Sequence, residues 1–253
     1  EYFVMERYET SLDLWIQAEA IRRQRMKTTE PLLSPSDTVR LLFQLVDALT
    51  LLRKLNVYHK DIKPSNILLK RVNLEDAPRT NSAFPYDAAV ADFGLADINV
   101  GLEDGEDYFC FIGTNFDSED GAGNDLRCAI ASVFFAWIGE RGWGDSKQRD
   151  VLFKTEDGFR NKMENMQLDR SSEFIRDFFF WALQIPTLDQ SSPDIQVISS
   201  DNILGELNDL SGELDMEPLP QLTPFLDDKD GDSLVDSKLD THLRIALSVI
   251  TGR

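Results

Sequence analysis

Apolar residues recur along this chain at three- and four-residue steps, in blocks separated by polar stretches. That spacing predicts helices, with short strands between some of them. Tyr2 to Met5 reads as the end of a buried strand. With nothing before it to pair with, this strand implies that the sequence begins inside a domain. Ser11 to Arg25 follows a helical period through Leu12, Leu14, Trp15, Ile16 and Ile21. After a polar loop, Lys27 to Leu33, comes a clear helix start at Ser34-Pro35-Ser36-Asp37. Ser34 is placed to cap, Pro35 suits the first turn, and Asp37 stands three residues past the cap. The helix is predicted to run to about Leu55. Val39, Leu42, Phe43, Val46, Leu49 and Leu52 form its buried face.

Ile67 to Leu69 and Ala88 to Ala91 are short apolar runs that suit two small strands, with a polar loop, Arg71 to Asp87, between them. A Gly- and Asp-rich loop spans roughly Ala96 to Asn124. Asp125 to Ile138 is apolar on nearly every side, the pattern of a helix at the centre of a domain. Glu173 to Leu183 reads as another apolar helix. Pro186 to Asp240 is acidic and rich in Ser, Pro and Asp, which predicts loops and short helices. His242 to Ile250 reads as one last short helix. The class is α+β, mainly α-helical.

Composition narrows the function classes. The 253 residues carry 26 Lys and Arg against 45 Asp and Glu, a net charge of −19. Such a surface repels phosphate backbones and anionic lipid, so neither nucleic acid nor a membrane is expected as a partner. No apolar run reaches the roughly 18–20 residues of a membrane span. Hydrophobic residues make up 42%, enough for a real core. Cys110 and Cys128 lie far apart without metal-ligand spacing. An intracellular, cytoplasmic protein is the expectation.

The chemistry concentrates in Tyr58-His59-Lys60-Asp61-Ile62-Lys63-Pro64-Ser65-Asn66, a loop between a capped helix and an apolar strand. It places a carboxylate, an ammonium and an amide at positions 61, 63 and 66. Phosphoryl transfer needs those three groups together. A carboxylate orients and deprotonates the attacking hydroxyl, a cation neutralises the migrating charge, and an amide oxygen helps hold magnesium. Asp92, in Val90-Ala91-Asp92-Phe93-Gly94, supplies a second carboxylate at a strand end, a ligand type that suits Mg²⁺.

Taken together, these motifs resemble the C-terminal lobe of a eukaryotic-type serine/threonine protein kinase, with short β-hairpins near the catalytic loop. The resemblance implies ATP and Mg²⁺ as cofactors and a protein hydroxyl as acceptor, with the acidic surface favouring basic substrates. It implies that residues 1–8 end the last strand of a smaller upstream lobe and form the hinge. Residues 9–190 would be the large lobe, and 191–253 an acidic, loop-rich remainder with a terminal helix. By the same resemblance Met5 is a gatekeeper, and Glu6 to Tyr8 hydrogen-bond adenine, with Leu68 as the floor of its pocket. Asp61 matches the catalytic base and Lys63 the γ-phosphate lysine, while Asn66 and Asp92 match the magnesium ligands. Thr114 is similar to the threonine that bonds the catalytic aspartate, and Asp125 to the aspartate that anchors the loop backbone.

Departures from the family pattern bear on activity. The glycine-rich loop, strand lysine and helix glutamate that clamp ATP are not in this sequence, so residues 1–253 alone are expected to transfer phosphate hardly at all. Lys60 stands where an arginine usually pairs with a loop phosphate, and it lacks the planar fork. Between Phe93 and Gly113 there is no Ser or Thr, but Glu103, Asp104, Glu106 and Asp107 are present. That acidic run either stands in for a phosphate or is a solvated loop. Ser118-Glu119-Asp120 represents the peptide-docking element in shortened form. Asp228-Lys229-Asp230-Gly231-Asp232 resembles a calcium loop but has Ser233 and Leu239 at the sixth and twelfth positions, so it reads as a solvated acidic turn. Two functions stay open on the sequence: an ATP-dependent protein kinase, and a kinase-like module that binds a partner without catalysis.

Overall fold

The computed structural model describes residues 7–54, 57–72, 84–98, 125–140, 156–183 and 199–219. Within them the chain is mainly helical, with small antiparallel sheets. In chain order the elements are β1 (Thr10–Ser11), α1 (Leu12–Met26), α2 (Pro35–Lys54), β2 (Val57–Tyr58), β3 (Ile67–Arg71), β4 (Tyr86–Val90), β5 (Asp97–Ile98), α3 (Asp125–Ile138), α4 (Glu156–Glu164), α5 (Arg170–Ala182) and α6 (Ser200–Glu213). The opening strand at Tyr2 to Met5, the acidic 103–107 run, the shortened docking segment, the calcium-like turn and the helix expected at His242 to Ile250 lie outside the described residues.

Helix α2 begins where its cap predicts. The Ser34 hydroxyl accepts the Asp37 N–H at 3.1 Å and donates to the Asp37 carboxylate at 2.7 Å. The buried surface of α2 is wider than one stripe, because Leu41 and Leu45 are buried along with Val39, Leu42 and Val46. The cause is that α3, α6 and β4 all pack against it.

Helix α3 is the hub. Every residue from Arg127 to Ile138 is buried. The Phe134 ring stacks on Phe159 of α4 at 5.5 Å and meets Phe179 of α5 edge-on at 5.2 Å. An apolar layer of this kind holds helices together by area removed from water plus ring contacts. The helix ends at Gly139, whose φ of +74° is left-handed. That backbone favours glycine, and a Cβ there would also push on the Arg23 guanidinium at 2.8 Å and the Leu32 side chain at 2.9 Å.

Three parts of the pattern come out differently from expectation. In α1 only Leu12, Trp15 and Ile16 are buried, while Leu14 and Ile21 face outward. The supposed loop at Arg71 to Asp87 is shorter than composition implies. Strands β3 and β4 stay paired to Lys70↔Asp87 and Arg71↔Tyr86, with the Arg71 guanidinium over the Tyr86 ring. The acidic stretch expected to hold loops and short helices contains α6, which is 14 residues long. A reciprocal Ser199–Asn202 capping box starts it, and Ile203, Leu204, Leu207 and Leu210 bury one face. No helix among the described residues is long and apolar enough to cross a membrane.

Candidate active site

The loop between β2 and β3 folds onto itself. The Asp61 carboxylate receives the Lys63 ammonium at 2.6 Å and the Asn66 side-chain N–H at 3.0 Å. The same Asn66 nitrogen also donates to the Asp61 carbonyl at 2.9 Å. Asn66 is buried and closes a short 3₁₀ turn over Pro64–Asn66, which fixes its side chain from below. The Asn66 nitrogen is committed twice to Asp61, while its amide oxygen accepts the Ser65 hydroxyl at a long 3.5 Å. That oxygen is the atom a hard cation would take.

What holds this loop comes from far along the chain. Asp125, the first residue of α3, accepts the backbone N–H of His59 at 2.6 Å and that of Lys60 at 2.8 Å. Two successive amides can point at one carboxylate because Lys60 is left-handed, with φ of +64°. Such a conformation strains a non-glycine residue, and the Asp125 bonds offset that strain. Burial pushes the Asp125 carboxyl above its ordinary value, against the pull of the two amides.

His59 is the residue that ties the loop to the segment after β4. It is fully buried. One ring nitrogen, Nδ1, accepts the Asp61 N–H at 3.3 Å, so Nε2 carries the proton and donates to the Ala91 carbonyl at 3.0 Å. The Ala91 N–H in turn donates to the Asn66 carbonyl at 2.9 Å. Ala91 is thereby pinned from both sides, and Phe93 tilts against the His59 ring at 4.7 Å.

Between Ala91 and Phe93 stands Asp92, exposed and left-handed at φ of +67°. Its carboxylate caps a 3₁₀ turn at Phe93–Leu95 by accepting the Gly94 N–H at 3.4 Å. From the sequence, Asp61, Lys63, Asn66 and Asp92 are expected in one site. The geometry joins the first three directly and links Asp92 to them through the backbone of Ala91.

Tyr8 and Leu68 are both half-buried. Leu68 lies opposite Ser11 in the β1–β3 register, and Glu9, next to Tyr8, donates its N–H to the Leu69 carbonyl at 3.0 Å. In β3 the core takes Ile67 and Leu69, which leaves Leu68 on the other face of the strand. Met5, Glu6 and Thr114 lie outside the described residues.

Two contributors had not been singled out for a role here. His59 stands within the Tyr58–Asn66 stretch, but nothing in a sequence shows that both its nitrogens bridge two segments. Gln44 of α2 donates to the Asp87 carboxylate at 2.8 Å and accepts the Ala88 N–H at 3.0 Å. It acts as a side-chain substitute for one more strand beside β4, and no pattern marks it in advance.

A resident cation cage is not what these residues build. Among the described residues no group of three or more His, Cys, Asp or Glu could hold a metal ion. One amide oxygen and one exposed carboxylate suit Mg²⁺ that keeps waters and arrives with phosphate oxygens.

No family model matches the sequence, and no curated protein does. A solved structure described as the Rad53 kinase domain and SCD2 is similar over 84% of this chain and 74% of that one, at 15% identity and a TM-score of 0.43. At that similarity, the residues and distances of the site itself decide what it can do.

Proposed function

We propose that this chain carries the phosphoryl-transfer site of an ATP- and Mg²⁺-dependent protein serine/threonine kinase. The observation that supports this most is the Asp61 carboxylate, held by the Lys63 ammonium at 2.6 Å and the Asn66 side-chain N–H at 3.0 Å.

Asp61 orients a substrate hydroxyl and takes its proton as the oxygen bonds to the γ-phosphorus of ATP. The bond from that phosphorus to the β-phosphate oxygen breaks, and ADP leaves with the electron pair. Lys63, already beside Asp61, neutralises charge on the moving phosphoryl group. Asn66 and Asp92 are the residues that would hold Mg²⁺, which supplies charge neutralisation on the phosphates. The net charge of −19 favours basic substrates through long-range attraction.

The test is transfer of labelled phosphate from ATP to basic Ser/Thr peptides by the full-length protein. Asp61→Asn should lower kcat by about 10²–10⁴-fold, the range for losing a general base. Wild-type protein that binds a partner but shows no magnesium-dependent transfer would instead support the non-catalytic module.

A further inference from the structure

The described residues with large exposed apolar side chains all lie on one helix. Leu14 is 56% exposed, Ile21 51% and Met26 63%, and α1 carries all three. Leu14 and Ile21 are seven residues apart, two turns, so they share a face. The end of the same helix is basic in a chain whose net charge is −19. Arg22, Arg25 and Lys27 are all exposed there. Arg22 is engaged by Glu19 at 2.5 Å. Arg25 and Lys27 have no salt-bridge partner among the described residues.

We infer that the outer face of α1 is a docking surface for an acidic, amphipathic segment of a partner protein. Burying Leu14 and Ile21 against apolar side chains supplies affinity, and carboxylates beside Arg25 and Lys27 set orientation. The charge of the surface selects the class of partner. A short peptide covers only α1, where the local positive charge dominates within a screening length of about 8 Å. A flat anionic membrane would also meet the acidic surface around the helix. This inference does not rest on the phosphoryl-transfer reading.

The probe is a fluorescein-labelled amphipathic peptide with Leu along one helical face and Glu at the remaining positions, titrated with the 253-residue chain and read by anisotropy. Binding is expected at low salt and weakens as salt rises. Arg25→Glu with Lys27→Glu should weaken it by about ten-fold. Ile21→Ser should do so by a similar factor of about ten. These side chains are exposed, so the thermal midpoint of each variant should match wild type. Equal binding of a Lys-for-Glu peptide, or no loss in the variants, overturns the inference. So does a wild-type chain that ignores the Glu peptide but sediments with phosphatidylserine vesicles, or one that forms a dimer lost in the double variant.

Discussion

The loop that carries Asp61 and the turn that carries Asp92 are tethered in different ways. Asp61 is held through its side chain, by Lys63 and Asn66, and its loop is held by Asp125 from the far side of the sequence. Asp92 is held through its neighbours: Ala91 is bonded on both sides and Phe93 rests on His59, while among the described residues the carboxylate reaches only the Gly94 N–H two residues on. A general base must sit at a fixed distance from the hydroxyl it serves, so a locked side chain suits it. A carboxylate that meets a cation arriving with nucleotide needs its oxygens open, so a locked backbone and an exposed side chain suit it.

The largest expected effect comes from cutting the long-range tether. Asp125→Ala takes the acceptor from the His59 N–H, in a part-buried bond, and from the exposed Lys60 N–H, and removes what offsets the strained Lys60. The expected loss is about 1–3 kcal/mol in urea unfolding. Retention of wild-type stability would mean that the loop is held by something other than Asp125.

His59→Phe keeps the ring and its contact with Phe93 but removes the bonds to Asp61 and Ala91. A cost of about 1–3 kcal/mol is expected. Amide exchange should speed at both segments together, since His59 joins them. Faster exchange in the Asp61 loop alone would show that the two regions are not coupled through this ring.

A smaller effect is the pH dependence of Asp125. Its carboxyl is raised above the ordinary 3.8 by burial, so the folded chain holds that proton more tightly than the unfolded chain. Its contribution to stability is therefore fully present below 3.8 and is lost as pH rises through the raised value. The stability of wild type minus that of Asp125→Asn should fall as pH rises through that window, and a flat or rising difference would contradict the assignment.

Smallest in stability is Asp92→Gly. Glycine relieves the left-handed backbone at this exposed position, so stability should be unchanged or raised by up to about 1 kcal/mol. Magnesium-dependent nucleotide binding by the full-length protein should nevertheless be lost. A clear destabilisation would place Asp92 with Asp61 as a structural lock.

Local signals along the chain were enough for much of the frame. The Ser34 cap, the span of α3 from Asp125 to Ile138, and the Ile67 and Ala88 strands depend on near neighbours, and near neighbours can be read from a sequence. Helix α6 escaped because acidic composition hid the apolar positions Ile203, Leu204, Leu207 and Leu210, which bury only because α2 lies beside them. In α1 the period was right but the environment covers only one side, so Leu14 and Ile21 remain exposed. The site divides in the same way. Asp61, Lys63 and Asn66 are close in sequence and recognisable by spacing. The bridging of His59 and the clamp of Gln44 on β4 depend on folded neighbours 32 and 44 residues away.

The central claim is that Asp61 and Asp92 serve one phosphoryl-transfer step. The most direct measurement is single-turnover transfer from Mg-ATP to a basic Ser/Thr peptide by full-length wild type, Asp61→Asn and Asp92→Asn. Joint catalysis predicts transfer by wild type alone, with each variant slowed by about 10²-fold or more. Equal rates in all three proteins, or no transfer by wild type, would contradict it.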